Sequence, residues 1–353
     1  MKHRSIINNM KHASGRIYPP NAGCIAVLVC LLFTLIFSSC SNTKYLTEGE
    51  YLYTDYELKL DKKSKEITTK NELASMEQVI LPKPNKKFLG ARMKLAIYNR
   101  VKEPKKETGF KHWLKYKLGE PPVLLSDVNS DRTAKLIENR LDTYGHFRSS
   151  VGDTVIRDKQ KATIIYSAHV ARTYQIDSVF FPEVKDRLTK KIDQTRDSSL
   201  LRPGDAYNLQ VIKAERERID RMLKIEGYYY FNPEFIIVRV DTNVGDHNCK
   251  MYVNLKRNLP PDALRYFYIG DIYVYPEYSL NQTEQQMKTA DTLLVDSMYY
   301  VTPQHLFKPH SILRSVYFQT GKIYDARNYD LTLSRLIGLG VFKFGNIKFD
   351  WVI

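Results

Sequence analysis

Three helical stretches of this chain end in the same way. In each, a leucine lies four residues before a glycine, and an aromatic residue follows that glycine two positions later. Glycine commonly closes helices because it tolerates the left-handed backbone conformation. The repetition predicts three copies of one module, in which the leucine and the aromatic residue pack into the same core. The residues are Leu141, Gly145 and Phe147; Leu223, Gly227 and Tyr229; and Leu336, Gly340 and Phe342.

Apolar spacing predicts the helices that carry these ends, and strand-like segments flank them in a recurring order. The helices are expected over 127–144, 207–225 and 324–339. The strands are expected over 51–60, 150–156 and 163–171, then 174–181, 235–240 and 249–255, then 266–275 and 346–353. A further helix with a loop is expected over 284–299. The closing glycines are 82 and 113 residues apart, which is the size of domains rather than of a short solenoid repeat.

Residues 1–39 are predicted to be an export segment. Residues 1–23 carry four basic side chains and no acid, and the run Cys24–Phe37 is apolar over 14 residues except for Thr34. That run is shorter than the roughly 20 residues a membrane-spanning helix needs, and is typical of a secretory signal. The following Ser38-Ser39-Cys40 resembles a bacterial lipobox, which implies cleavage after residue 39 and acylation of Cys40, for example by palmitate. The alternative is an uncleaved signal anchor.

Composition argues against several classes of function. Of four cysteines, only Cys249 remains outside the export segment and Cys40, so an intrachain disulfide or a cysteine metal cluster is not expected. The eight histidines show no ligand spacing, and no nucleophile elbow, zinc-protease motif or phosphate-binding loop occurs. The sequence therefore predicts neither an enzyme nor a protein with a metal or cofactor.

One stretch, 81–118, is strongly basic, in a chain whose formal net charge is +15. It holds twelve Lys or Arg and two acids, with aromatic residues between them. Three interpretations are open: a solvated loop, a surface that lies on anionic lipid headgroups, or a nucleic-acid site with stacking aromatics. The exported location argues against the last. Candidate membrane-surface residues are Lys86, Lys87, Arg92, Lys105, Lys106 and Lys111.

The order of elements, with Leu336-Ile-Gly-Leu-Gly-Val-Phe342 and Tyr268-Ile-Gly-Asp-Ile-Tyr-Val274, resembles the POTRA domain of the BamA/TamA outer-membrane assembly family. With the lipobox, Asn85-Lys-Lys-Phe88 and Tyr98-Asn99 resemble its lipoprotein branch. The resemblance implies an α+β fold of tandem βααββ domains behind a signal peptide (1–39) and a lipidated tether (40–50). Expected domains are 51–172 with the insertion 81–118, 173–260 and 261–353. The third lacks its last strand, and the family's β-barrel is not in this sequence.

The resemblance also implies a function without catalysis. An edge strand of a POTRA sheet accepts an incoming strand through backbone hydrogen bonds. The candidate edges are 150–156, 235–240 and 346–353, with Phe235, Ile237, Lys348 and Asp350 as residues to test. Implied partners are outer-membrane lipid, unfolded outer-membrane proteins, and a periplasm-spanning or lipoprotein partner, and no nucleic acid. Asn42, in place of Asp, favours the outer membrane. The alternative function is a free-standing, lipid-anchored periplasmic scaffold.

Overall fold

The computed structural model describes residues 42–278 and 290–350, so Cys40 and the predicted signal peptide lie outside the described residues. These residues form two compact units. The first comprises 42–59, 78–135 and 152–167, and the second comprises 60–77, 136–151, 168–278 and 290–350. The described chain contains three sheets of three strands each, together with helices, which confirms the predicted α+β class.

The first sheet contains β1 (Leu52–Leu60), β2 (Ser150–Asp158) and β3 (Lys161–His169), in the order β1-β3-β2. Between β1 and β2 the chain forms α1 (Lys62–Ile67), α2 (Lys70–Gln78), α3 (Met93–Arg100), α4 (Phe110–Trp113) and α5 (Ser130–Thr143). Helix α4 continues directly into a π-helix, Leu114–Leu118. Tyr53, Ile164 and Tyr166 are fully buried because alternate residues of β1 and β3 face the same side.

The second sheet contains β4 (Gln175–Phe180), β5 (Ile236–Asp241) and β6 (Asn248–Leu255), in the order β4-β6-β5. Helices α6 (Arg187–Asp193) and α7 (Leu209–Ile225) lie between β4 and β5 in the chain, so the predicted βααββ order holds here. Strand β4 runs parallel to β6, and β5 runs antiparallel to it. The core forms between the sheet and the apolar side of α7, where Ile219, Leu223 and Met251 are buried.

The third sheet corrects the prediction of a helix over 284–299 in its described part, 290–299, whereas residues 284–289 lie outside the described residues. Strand β7 (Tyr273–Val274) is parallel to β9 (Met298–Thr302), and β8 (Asp291–Val295) is antiparallel to β9. Asp296 and Ser297 both have positive φ, 50° and 62°, which is the conformation of a two-residue hairpin turn. Helices α8 (Pro309–Leu313) and α9 (Ala326–Gly338) follow the hairpin, so the strands precede the helices here.

Two further strand predictions fail in this region. The expected strand over 266–275 is reduced to Tyr273–Val274, and residues 346–350 form no strand. Alternation is present, since Ile347 and Phe349 are half-buried against the cluster of Ile269, Phe318 and Tyr324. Alternating burial alone does not make a strand, because a strand also needs a hydrogen-bonded neighbour.

A backbone hydrogen bond joins the segment before the main helix to the segment that opens the module, and it occurs three times. We call this bond the backbone clamp. Tyr207 N–H donates to the Tyr174 carbonyl at 2.8 Å, and Tyr324 N–H donates to the Phe267 carbonyl at 2.9 Å. The counterpart before α5 is the bond from Leu125 N–H to the Tyr51 carbonyl, at 2.8 Å. The segment before each main helix (α5, α7, α9) therefore pairs with the chain that opens that module, which supports the threefold repeat independently of the helix ends.

Candidate functional site

Strand β5 forms one end of the second sheet, and its register identifies its outward backbone groups. Ile236 pairs with Leu255 and Val238 with Val253, and Lys256 N–H donates to the Phe235 carbonyl at 2.9 Å. In an antiparallel pair, hydrogen-bonded and non-hydrogen-bonded positions alternate. Residues 237, 239 and 241 therefore bond to β6, and the N–H and C=O groups of 236, 238 and 240 point away from it. Of the predicted edge residues, Ile237 lies within β5 and Phe235 lies directly before it.

The opposite end of this sheet is partly covered by the chain itself. Strand β4 is bridged to the segment before α7, where Gln175 pairs with Ala206. Ile176 N–H donates to the Asp205 carbonyl at 2.8 Å, and Gly204 N–H donates to the Ile176 carbonyl at 2.7 Å. These bonds occupy the outer side of the first residues of β4. The second sheet consequently offers β5 as its better edge for an incoming strand.

The structure adds an edge that the sequence-based prediction missed. Strand β8 is at the end of the third sheet, and Leu293 and Leu294 on it are exposed, Leu294 by 67%. Apolar side chains on an edge strand favour pairing with another chain. The signal in the sequence is Asp296-Ser297 between two apolar runs, since Asp and Ser are both frequent turn residues. Strand β2 is likewise at the end of the first sheet.

The third predicted edge is wrong in its described part, because residues 346–350 form no strand. Lys348 and Asp350 are exposed, and their neighbours Ile347 and Phe349 turn inward. Phe349 packs at 5.0 Å between ring centroids against Tyr229 and at 5.4 Å against Tyr324. This segment therefore contributes to a core rather than to a described sheet edge.

The helix ends confirm the predicted backbone geometry. Gly145, Gly227 and Gly340 all have positive φ, 85°, 99° and 72°. At the first two ends, the carbonyl of the repeated leucine accepts a bond from the residue after the glycine: His146 N–H to Leu141 and Tyr228 N–H to Leu223, both at 3.1 Å. These are the long bonds of a Schellman cap. Leu141 and Leu223 are buried, whereas Leu336 is half-buried.

The aromatic residues of the repeat pack differently from the prediction. Phe147 lies against Tyr174 and Tyr207, at 5.4 Å and 4.8 Å between ring centroids, and so joins the core of the second sheet. Tyr229 lies 5.0 Å from Tyr324 and joins the cluster around Ile269. These two rings follow the sharp turn at the glycine into the next core along the chain. Phe342 packs with Tyr300, Ile312 and Leu313, which belong to its own region.

The basic insertion divides into side chains that stabilise the fold and side chains that face solvent. The Arg92 guanidinium donates to the Thr54 carbonyl and is half-buried, and this burial lowers its pKa, with Asp55 partly offsetting the effect. Arg92 is therefore not a membrane-surface residue, because its charged group is held against β1. Lys87 Nζ lies 2.7 Å from an Asp55 oxygen. Lys86, Lys105, Lys106 and Lys111 are exposed.

In the described residues, no helix is both long and apolar enough to cross a membrane. No group of three or more His, Cys, Asp or Glu side chains in that same part of the chain is arranged to hold a metal ion. Cys249 is fully buried in the second core, and burial raises its pKa to about 11. This thiol is a packing residue, since a nucleophilic cysteine needs an accessible thiolate.

No family model and no curated protein sequence matches the chain. Solved structures to which it is similar include regions of BamA and Omp85. One is BamA POTRA3-5 from Haemophilus influenzae, with 10% identity and a TM-score of 0.40 over 85% of this chain and 91% of that chain. Another is POTRA1-3 of the periplasmic domain of Omp85 from Anabaena, with 13% identity and a TM-score of 0.28 over 86% and 91%.

These solved structures belong to the same class of domain that the sequence resembles. A third is the N-terminal domain of Omp85 from Thermosynechococcus elongatus, with 13% identity and a TM-score of 0.26 over 84% of this chain and 89% of that one. The α+β class itself rests on this chain's own strand orders and recurring backbone clamp.

Proposed function

We propose that this chain is the periplasmic POTRA region of an outer-membrane protein assembly factor, which receives unfolded β-barrel clients or partner proteins by strand addition. The observation that carries the proposal is the outward row of backbone groups on β5, a six-residue strand at the end of its sheet. Pairing through N–H and C=O groups is independent of side-chain identity. Such an edge accepts many different clients without a catalytic residue.

The side chains around β5 match one kind of incoming strand. Val238 and Val240 are half-buried on the core side, while Ile237 and Arg239 are exposed on the other side. A strand added beside β5 therefore finds an apolar surface on one face and water on the other. Strands of outer-membrane barrels alternate apolar and polar residues with the same period of two. An unfolded barrel strand fits this edge better than a uniformly polar peptide does.

The test uses two proline substitutions that differ only in which backbone group they remove. Val238→Pro removes an outward N–H, and proline is tolerated where an edge strand's N–H faces solvent. Ile237→Pro removes an N–H that bonds to β6. We expect Val238→Pro to keep a cooperative unfolding transition and to lose at least tenfold in affinity for a peptide from a barrel strand. We expect Ile237→Pro to lower stability as well.

Peptide binding is measured by fluorescence anisotropy, with a peptide of the same composition and scrambled alternation as the control. Unchanged affinity in Val238→Pro, in a protein that unfolds as cooperatively as the wild type, contradicts strand addition at β5. Leu294→Lys tests β8 as an additional edge in the same assay.

The proposed location is the outer membrane, with the chain anchored through acylated Cys40 and its domains in the periplasm. Two or three acyl chains hold a protein firmly, whereas one binds only marginally. Cys40→Ala is therefore expected to move the protein from the membrane fraction of cells to the soluble fraction. If the variant stays in the membrane fraction with residues 1–39 attached, the chain has a signal anchor instead.

A further inference from the structure

We infer that the insertion carries an aromatic membrane-docking surface, formed by Phe110 and Trp113 on α4. We call these two residues the docking surface. A separate turn of the insertion exposes Phe88 and Leu89. The partner of the docking surface is the headgroup region of a bilayer that contains anionic lipid. The inference deepens the proposed function and rests on its outer-membrane location.

The four side chains are unusually exposed for their size. Phe110 is 72% exposed, Trp113 50%, Phe88 67% and Leu89 77%. Phe110 and Trp113 stack on each other with ring centroids 6.0 Å apart, so their exposed surfaces are contiguous. Single exposed apolar residues are common, but grouped ones mark interaction sites. Aromatic rings with flanking basic residues are typical of segments that lie in the membrane interface.

The π-helix that continues α4 is held against the rest of the insertion. Lys115 is buried, donates to the Val101 carbonyl at 3.2 Å, and lies 4.7 Å above the ring of Tyr98 on α3. Tyr116 donates to Glu103 and packs edge-on against Tyr98 at 6.0 Å. Phe110 and Trp113 are three residues apart, so they lie on the same side of the helix. Trp113 precedes Lys115 by two residues. Lys115 is thus held against α3, while Phe110 and Trp113 are exposed to solvent.

The turn that carries Phe88 and Leu89 is a strained one. Phe88 and Ala91 exchange backbone hydrogen bonds of 2.8 Å and 3.0 Å, which leaves Leu89 and Gly90 at the tip. Leu89 has φ 48°, in the left-handed region that costs a non-glycine residue energy. A branched apolar side chain at such a tip gains little from the fold, since most of its surface is exposed. Contact with lipid removes the Leu89 side chain from water.

The charges around the docking surface favour an anionic bilayer. Exposed Lys111 lies between the two aromatic residues in the sequence and exposed Lys117 follows them, and Lys86, Lys105 and Lys106 are exposed elsewhere in the insertion. Basic residues near an anionic membrane surface are attracted to its headgroups. Among the described residues of the insertion the acids are Glu103 and Glu107, and Glu103 is neutralised by Lys115 at 2.8 Å. The field of the insertion is therefore positive, with no acidic cluster to repel headgroups.

The position of the proposed lipid anchor supports the same orientation. Asn99 on α3 donates from Nδ2 to the Asn42 carbonyl at 3.3 Å. Asn42 is two residues from Cys40, and two residues span at most about 7 Å. Asn42 is thereby held at the helix whose Tyr98 packs against Lys115 and Tyr116. A lipid on Cys40 has only this short connection to α3.

The experiment uses the full lipidated chain reconstituted into vesicles of phosphatidylethanolamine and phosphatidylglycerol whose acyl chains carry bromine. Trp351→Phe leaves Trp113 as the single tryptophan. We expect bromine to quench Trp113 strongly, its emission to shift to shorter wavelength, and acrylamide to reach it less than in detergent. Replacing phosphatidylglycerol by phosphatidylcholine is expected to weaken the quenching, because the lysines lose their partners.

The matched control places the only tryptophan on α3, at the position that packs against Lys115 and Tyr116, as Tyr98→Trp with Trp113→Phe and Trp351→Phe. Its quenching is expected to be less than half that of Trp113. Equal quenching at both positions, no quenching at Trp113, or protection of Trp113 only after another protein is added each overturns the inference. The measurement involves no client strand, so it fails or succeeds independently of the Val238→Pro test.

Discussion

A Cβ atom on Gly227 would lie 2.7 Å from Cγ2 of Ile323 and 3.1 Å from Cβ of Tyr266. The Gly227 carbonyl also accepts a 2.9 Å bond from Phe267 N–H. Gly145 repeats the arrangement: its nearest neighbour is Cβ of Tyr207, and its carbonyl accepts from Tyr174 N–H at 3.1 Å. Each of these glycines thus does more than end a helix, because its missing side chain lets the opening segment of the next module pack directly on the turn.

Gly227→Ala is predicted to destabilise the chain more than Gly340→Ala. Both residues have positive φ, which costs alanine about 1 kcal/mol or more, but a Cβ at Gly340 meets nothing within 4 Å. At Gly227 the contact with Ile323 adds to that strain, so we expect a total loss of about 2–4 kcal/mol. Urea unfolding of both variants measures the difference. Equal losses at the two sites would show that only backbone strain matters.

Glu215→Gln is predicted to destabilise the second core by about 3 kcal/mol. Glu215 is fully buried, and Arg218 donates to both of its oxygens at 2.7 Å. Ser199 and the Leu200 N–H also donate to it, at 2.9 Å and 3.0 Å. Removing one partner of a buried pair leaves an uncompensated charge. Glu217→Gln on the exposed side of α7 is the matched control, expected within about 0.5 kcal/mol of wild type by chemical unfolding.

Acid is predicted to weaken the chain partly through Glu72. Burial alone raises the pKa of this carboxyl, but His146 and Thr69 outweigh it, so the pKa lies below the ordinary value. Thr69 N–H donates to it at 2.6 Å, and His146 Nε2 lies 3.5 Å away. Because the folded pKa is depressed, the stabilisation is complete above the unfolded pKa and is lost as pH falls through the folded pKa. Wild type should lose more urea resistance than Glu72→Gln between neutral pH and about pH 3. An equal loss of urea resistance in the two proteins over this pH range would contradict the assignment to Glu72.

Cys249 is predicted to resist alkylation in the native chain. Its thiol is buried and its pKa is raised to about 11, so little thiolate exists at pH 8 and reagents do not reach it. Peptide mapping after iodoacetamide treatment should find Cys249 unmodified without urea and modified with it. Ile237→Cys on exposed β5 serves as the positive control. Rapid native labelling of Cys249 would mean that the second core opens readily.

Some elements were predictable from the sequence because they depend on nearby residues. Helices α5, α7 and α9 and their glycine ends follow from apolar spacing and from the backbone freedom of glycine. Strands β2, β5 and β6 follow from alternation. The predicted helix over 284–299 was wrong in its described part because Leu293 and Leu294 suit either structure, and the hairpin turn at Asp296-Ser297 decided between them.

The candidate site could likewise be predicted only in part from the sequence. Ile237 was predicted as an edge residue through the resemblance to the POTRA domain, but the outward direction of the 238 backbone needed the register with β6. Arg92 and Lys111 are equally basic in the sequence, yet only Arg92 is held against the Thr54 carbonyl. Likewise, nothing local in the sequence distinguishes exposed Trp113 from buried Lys115, and hydrophobicity alone predicts the reverse.

The sequence by itself determined where the helices end, which segments alternate and where basic charge accumulates, because each depends on residues within a few positions of one another. Tertiary structure decided which core receives Phe147 and Tyr229, which strand forms a sheet edge, and which side of α4 faces outward. Those outcomes depend on contacts between residues far apart in the chain, where packing and burial outweigh local preference.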